Sequence, residues 1–480
     1  MLFNRTLLLL ILCNQFSGCV VGPDYMQPDA GLPNNFQNEA IRGSSQPGKI
    51  DFVEWWATFN DPQLTQYIQS ALEQNLDLAQ GQARVTQARA GLVTATAALL
   101  PSANFAAQAS RGYQSLETPL GQILSSISDF DRYGNVYEAN LEAGWELDVF
   151  GGTRRNREAA LALYQASEAG VAATRISVAA QTADVYICIR GLQNRLIVAK
   201  QQVQTFEEVL SIVKLLHRKG LASEIQLRQT ENSLAYVRAS VPALELAVET
   251  AINALDVMLG SPPGTHRTEL IQVKGIPDAP PAIPAGSPKN LLTRRPDLII
   301  AERRLAASNA AIGAAVSEYF PKFSLNGLLG SATTANENLF TQDSSQAAGM
   351  LGLRWRLFDF GRINAQINQA KGKEAELLAA YRLTALRATA DVENALVAMS
   401  THEGRVNELR QGVISLERAK AASYAAYHQG VTSRLEVLYA DADLLRAMDL
   451  QIQAQGYSAQ ARVAAFKALG GGWQPNKENI

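Results

Sequence analysis

Val136-Tyr-Glu-Ala-Asn-Leu-Glu-Ala-Gly-Trp145-Glu-Leu-Asp-Val-Phe150-Gly-Gly152 is the stretch that decides the fold. Its odd positions Tyr137, Ala139, Leu141, Ala143, Trp145, Leu147 and Val149 are apolar. Among the even positions, Glu138, Asn140, Glu142, Glu146 and Asp148 are polar. Alternation of period two, with carboxylates confined to one row, predicts a strand with one wet face and one oily face. Gly151 and Gly152 then break the strand, and the next proline along the chain is Pro242.

The same design returns further along. Trp145-Glu-Leu-Asp-Val-Phe-Gly151 is echoed by Trp355-Arg-Leu-Phe-Asp-Phe-Gly361, and Gly220 by Gly430. Upstream, Leu76-Asp77-Leu78 matches Pro296-Asp297-Leu298, Arg84 matches Arg304, and Pro101 matches Pro321. Landmarks kept over so long a period indicate a duplicated unit.

Size and composition set limits. A chain of 480 residues with net charge −2 and 18% charged residues shows no basic patch or acidic tail, and nothing suggests nucleic acid. It has no apolar run long enough for a spanning helix, but barrel strands alternate and escape such a search. The start reads as a secretory signal over residues 1–18: Arg5, the apolar run Leu7 to Leu12, then Phe16-Ser17-Gly18. Cys19 after the cut is the pattern of a bacterial lipoprotein, whose thiol carries a diacylglycerol. Val20 is not the aspartate that retains a lipoprotein in the inner membrane, which favours the outer membrane. Cys13 leaves with the signal, so Cys188 is the one unmodified thiol and no intrachain disulfide is possible. Its helical surroundings suggest a small core residue.

In chain order, residues 19–60 read as an extended segment lying on the folded body. A first copy comes next, over 61–259. It has a helix opening at Asp61-Pro62, a second helix to about Leu99, a β-hairpin over 102–150 and a long helical hairpin over 153–259. In that hairpin Leu192, Leu196, Ala199, Val203, Phe206, Leu210 and Val213 keep heptad spacing, as do Leu227, Leu234, Val241, Leu244 and Val248 on the return. At 1.5 Å per residue the outgoing helix would be about 100 Å long. Pro242 should kink the return helix or end part of it. Residues 260–290, rich in proline, form a linker. The second copy, 291–469, should repeat the plan: one helix from Leu291 to Phe320, a hairpin over 322–360 and a helical hairpin over 362–469. A polar tail, 470–480, ends the chain.

Four strands per chain cannot close a barrel. Inside lipid every backbone polar group must be paired, so open edges are excluded. If these strands cross a membrane, several chains must share one barrel, and three chains give twelve strands. The polar row would then line a water-filled lumen, and the aromatic residues Tyr137 and Trp145 would suit an interfacial belt.

Several motifs now resemble a known family. Cys19-Val-Val-Gly-Pro-Asp-Tyr25, Leu291-Leu-Thr-Arg-Arg-Pro-Asp297, Asn309-Ala-Ala-Ile-Gly313, Tyr319-Phe-Pro321 and Ala468-Leu-Gly-Gly-Gly-Trp473 are similar to the TolC/OprM outer-membrane efflux family, in its lipoprotein branch. The resemblance covers essentially the whole mature chain. It implies a mixed α and β membrane protein. That would be a homotrimer whose twelve-stranded transmembrane β-barrel continues into a periplasmic α-helical coiled-coil barrel. It also implies a lipid-anchored exit duct in the outer membrane, joined to a periplasmic adaptor and an inner-membrane transporter of the resistance-nodulation-division type.

Residue by residue, the resemblance assigns adaptor contact to the two turns, Lys219, Gly220, Leu221, Ala222 and Ser223 and then Gly430, Val431, Thr432 and Ser433. It places a gate just after the second turn, at Leu435, Glu436 and Tyr439, with Asp441 two residues on. The family's double acidic ring is altered, because Tyr439 stands where an acid is expected. Converging Glu436 carboxylates would attract cations and repel one another. Tyr427 matches a tyrosine that latches neighbouring hairpins, and its usual acidic partner is Gln226 here.

No catalytic or metal constellation is visible, and no cofactor is expected. His217, His266, His402 and His428 lack ligand spacing. Arg154, Arg155 and Arg157 read as a solvated or headgroup-facing cluster. Two other readings stay open, an exit duct for secreted protein and a periplasmic lipoprotein whose coiled coils bridge envelope layers.

Overall fold

The computed structural model describes residues 20–38, 51–278, 283 and 286–474. The main elements are helices α1 (Pro62–Gln74) and α2 (Leu76–Ala97), and strands β1 (Ser102–Tyr113) and β2 (Tyr133–Leu147). Helices α3 (Gly152–Arg218), α4 (Glu224–Met258) and α5 (Pro296–Ser317) come next. Strands β3 (Lys322–Thr333) and β4 (Ser345–Arg354) precede helices α6 (Arg362–His428) and α7 (Arg434–Ala468). Lengths recur between the copies: α3 and α6 have 67 residues each, and α4 and α7 have 35 each. No described helix is long and apolar enough to cross a membrane.

Three elements depart from the sequence reading, each for a local reason. The β2 strand stops at Leu147 because Asp148 is taken by the helix start, its carboxylate accepting from the Thr153 and Arg154 amides at 3.0 and 2.8 Å. The β4 strand stops at Arg354, so Trp355 and Leu357 lie beyond it, and Asp359 accepts from the Ile363 amide at 2.7 Å. The predicted helix from Leu291 is broken at Arg295, which is extended because Pro296 excludes the helical conformation before it. Pro242 does not end α4, which runs through it.

The chain forms two compact units, each drawing on both copies. Unit one contains the sheet, with residues up to 28, 86–165 and 302–379. Its four strands lie in the order β1-β2-β3-β4, all antiparallel, so the two hairpins join through β2 and β3. Cross-strand partners share a face. The register aligns Phe105, Leu141 and Leu329, then Trp145, Leu325 and Leu351, then Leu147, Phe323 and Leu353. The other face carries Glu138, Asn140, Glu142 and Glu146 beside Gln108, Asn104 and Ser324, with Val136, Leu328 and Met350 as its large apolar members. The alternation read from Tyr137 to Leu147 therefore extends over all four strands. Among the described residues β1 and β4 each have one edge without a strand partner.

Unit two holds residues 29–85, 166–301 and 380–480, as far as they are described. Its aromatic core was not legible in the sequence. A short 3-10 helix, Trp55–Phe59, buries Trp55, Trp56 and Phe59, and Trp55 stacks on Phe466 with centroids 5.1 Å apart. The Gly470–Trp473 motif closes over this core. Gly470 has φ +76°, and a Cβ there would lie 2.5 Å from the Arg294 carbonyl. The Gly472 amide donates to Phe52 O, and the Trp473 indole donates to Arg294 O. Cys188 is at the exposed surface of α3, not in a core; local desolvation and Asp184 hold its pKa up.

Candidate functional site

In unit one the N-terminal segment is clamped where β2 passes into α3. The Val21 amide donates to Phe150 O at 3.2 Å. Gly22, with φ +92°, sits so close to Gly313 that a Cβ would lie 2.3 Å from its Cα. Arg155 is buried against this segment. Its guanidinium donates to Val21 O and Gly22 O and pairs with Asp24 at 2.7 Å and Glu158 at 2.8 Å. Burial alone would lower its pKa, but the hydrogen bonds to Asp24 and Glu158 outweigh that and the net shift is upward. The Tyr25 hydroxyl donates to Glu302 at 2.6 Å. This corrects the reading of the arginine cluster as solvated for two of its three members: Arg155 is a buried strut and Arg154 is bound to Asp148, whereas Arg157 is exposed and donates to Thr96. The residue types were visible, but nothing in their spacing pointed to a partner 131 positions away. Cys19, read as the lipidated residue, lies outside the described residues.

The clamp should respond to Arg155→Ala. Removing a buried guanidinium strands two carbonyls, at about 1–3 kcal/mol for each buried unsatisfied group. Faster limited proteolysis at residues 20–28, with the remaining fragments unchanged, is the expected outcome; equal rates would mean the clamp is held elsewhere.

Both turns in unit two are built alike. Gly220 and Gly430 have φ of +71° and +74°. Leu221 N donates to Leu216 O, and Val431 N to Ala426 O, the six-residue closure that ends a helix with a left-handed glycine. Ser223 and Ser433 then cap the returning helices by accepting from the Gln226 and Glu436 amides. Leu221 is 75% exposed and Val431 78%, so each turn presents a large apolar side chain to solvent. Lys219, Ala222 and Thr432 complete the two tips.

The gate candidates separate by helix face. Glu436 and Tyr439 are exposed and three apart on α7, and the exposed Asp443 and Arg446 continue the same stripe, paired with each other at 3.3 Å. Asp443 was missed in the sequence, although its seven-residue step from Glu436 places it on that face. Leu435 packs partly buried against the cluster of Val209, Val213, Leu227 and Leu438. Asp441 accepts from the Thr205 hydroxyl at 2.7 Å and pairs with Lys420 within the chain. The Tyr427 ring meets His428 at 5.7 Å, and Gln226 is exposed at the first turn. Among the described residues no group of His, Cys, Asp and Glu could hold a metal ion.

A family model for outer membrane efflux proteins matches residues 67–261 and 287–471. The pyoverdine export outer membrane protein OpmQ of Pseudomonas putida is 34% identical over 88% of this chain and 88% of its own length. The toluene efflux pump outer membrane protein TtgF of Pseudomonas putida is 30% identical over 95% of each. Among solved structures, the outer-membrane channel OprN superposes with a TM-score of 0.85 at 30% identity, covering 95% of this chain and all of OprN.

Proposed function

This chain belongs to the outer membrane efflux protein family, and from that premise we propose that it works as a homotrimeric, lipid-anchored exit duct with a carboxylate gate. It is an outer-membrane efflux channel, and its family consists of transport proteins. The observation that carries the trimer is the four-stranded sheet with one oily face, one polar face and two open edges. Unpaired edge groups are too costly in lipid, so β4 of one copy must pair with β1 of the next. Three copies close twelve strands, Leu141, Trp145, Leu325 and Leu351 face lipid, and Glu138, Glu142 and Glu146 face the lumen.

Cys19, next to the clamp at Val20–Tyr25, carries the lipid. The exposed turns at Leu221 and Val431 meet a periplasmic adaptor, which links the duct to an inner-membrane transporter of the resistance-nodulation-division type. The cargo is small molecules, in keeping with relatives named for pyoverdine and toluene. Light scattering in detergent should give a mass of three chains, and planar bilayers should show conductance; a monomer that does not conduct would end the proposal.

The gate has its own test. Glu436 and Tyr439 share the exposed stripe of α7, whereas the Asp441 carboxylate is engaged with Thr205 and Lys420, so Glu436 is the stronger candidate for an axial carboxylate. Glu436→Ala should raise the resting conductance several-fold or weaken cation preference, because mutual repulsion and cation attraction are removed together. Unaltered conductance and selectivity would take Glu436 off the pore axis.

A further inference from the structure

The end of the β1–β2 hairpin away from the long helices carries a cluster of two arginines and two tyrosines. Tyr113 and Tyr133 are cross-strand partners with ring centroids 4.8 Å apart. The Arg111 guanidinium lies over the Tyr133 ring at 5.2 Å, and that of Arg132 over the Tyr113 ring at 4.1 Å. By register, Arg111, Tyr113 and Tyr133 continue the row of Phe105, Leu141 and Trp145, the oily face of the sheet. Arg132 donates its Nε hydrogen to Gln114 O at 3.1 Å. Among the described residues no carboxylate is within ion-pair distance of either arginine. Asp131, the nearest acid in sequence, is turned back to accept from the Tyr133 amide at 2.9 Å.

Two guanidiniums without a carboxylate partner, Arg111 on the oily row and Arg132 lying over the Tyr113 ring of that row, need an explanation, because charge there is excluded from the hydrocarbon. Position supplies it. Tyr133 is twelve residues from Trp145 on β2, about 40 Å along a strand and about 30 Å in height once the strand is tilted. Trp145 and the tyrosine pair therefore bracket one apolar band, as aromatic belts do at the two membrane surfaces. The arginines stand just outside it, at headgroup level. Resting on an aromatic face leaves the edge N–H groups of a guanidinium free to donate, and that planar fork fits a phosphate.

We propose that Arg111 and Arg132, held on Tyr133 and Tyr113, form a binding site on the outer wall of the sheet for the phosphate groups of an anionic glycolipid in the outer leaflet. The proposal rests on the outer-membrane reading, which puts this end of the sheet in that leaflet. The ligand is a lipid and not a free anion, because the site continues directly into the apolar wall of Phe105, Ala109 and Tyr137 that would pack its acyl chains.

Native mass spectrometry of the detergent-solubilised full chain, incubated with diphosphorylated lipid A, tests this. The wild type should retain the lipid, and Arg111→Gln/Arg132→Gln should retain it roughly tenfold less, since two charge-assisted forks are lost. Monophosphorylated lipid A should bind between these limits, and zwitterionic phosphatidylethanolamine should not distinguish the two proteins. Equal retention of lipid A by both proteins overturns the site, as does displacement of lipid A by millimolar inorganic phosphate. If the glutamine pair fails to assemble, Arg111→Lys/Arg132→Lys keeps the charge without the fork and should retain roughly threefold less; undiminished retention again overturns it. Conductance of the same wild-type sample is read separately: a non-conducting protein that retains lipid A sinks the duct and spares the site.

Discussion

Gly330→Val should abolish assembly. Gly330 pairs with Asn140 within the β2–β3 ladder, where the two hairpins of the chain join. A Cβ there would lie 2.2 Å from Asn140 Oδ1 and 2.4 Å from Ala139 O. The side chain could turn away, but the carbonyl belongs to the ladder and cannot move without opening it. Asn140 is itself buried, and its Oδ1 accepts from the Gln346 side-chain Nε2 at 2.8 Å, so the same substitution would loosen this side-chain tie to β4. A sheet split at this seam presents open edges in its middle, and no arrangement of three copies then closes a barrel. The fraction running as an oligomer on mild detergent gels should fall at least roughly tenfold, as expected for a clash that costs more than about 1.4 kcal/mol. Gly327→Ala is the control. It lies on the same strand with nothing within 4 Å of the added carbon, and it should assemble as the wild type does. Equal assembly by the two variants would mean that the β2–β3 seam does not hold the barrel together.

That seam shows how much the sequence disclosed. Alternation from Tyr137 to Leu147 gave the two faces of one strand, and the repeat of Trp145 at Trp355 promised a second hairpin. It also hid a difference. Trp145 lies in β2 and Trp355 lies beyond β4, yet each indole donates to the residue two positions before the proline that precedes its hairpin, Leu99 O and Tyr319 O, at 2.9 Å. The motif repeats because the hydrogen bond repeats, and strand assignment is set separately. Strand order was not legible, because nothing within a hairpin states which neighbour its second strand will choose.

Periodicity likewise found every long helix but not the contacts that bridge long separations. Arg155 reaches Asp24, Trp55 stacks on Phe466, and Asp441 is satisfied by Thr205 and Lys420. Each pair is set by tertiary packing, and each member alone looks like an ordinary helix or loop residue. The gate reading shows the consequence. The family resemblance, lined up on Gly430, implied Leu435, Glu436, Tyr439 and Asp441 as a group, whereas the partners of Asp441 and the apolar setting of Leu435 leave Glu436 and Tyr439 as the exposed pair.

A buried carboxyl on α3 supplies the other large effect. Asp184 has a buried Oδ1 without a hydrogen-bond partner, and burial pushes its pKa from 3.8 to about 7 against the opposing pull of Lys467. Below about pH 4 the folded and unfolded chains both hold this proton, and the site costs nothing. Between about pH 4 and pH 7 the unfolded chain releases it while the folded chain keeps it, so stability falls as pH rises. Above about pH 7 the folded chain ionises as well and the deficit stays at its full size, about 4 kcal/mol for a shift of this extent. Asp184→Asn removes the charge at nearly constant shape. It should raise stability by about 2–4 kcal/mol at pH 8, leave it nearly unchanged at pH 4, and flatten the slope between. Denaturant unfolding of both proteins in detergent across that range measures it. Parallel pH profiles would show that Asp184 is ionised at no cost in the folded chain. Divergence with the stated sign would identify a buried acid that the channel tolerates at neutral pH at the expense of its own stability.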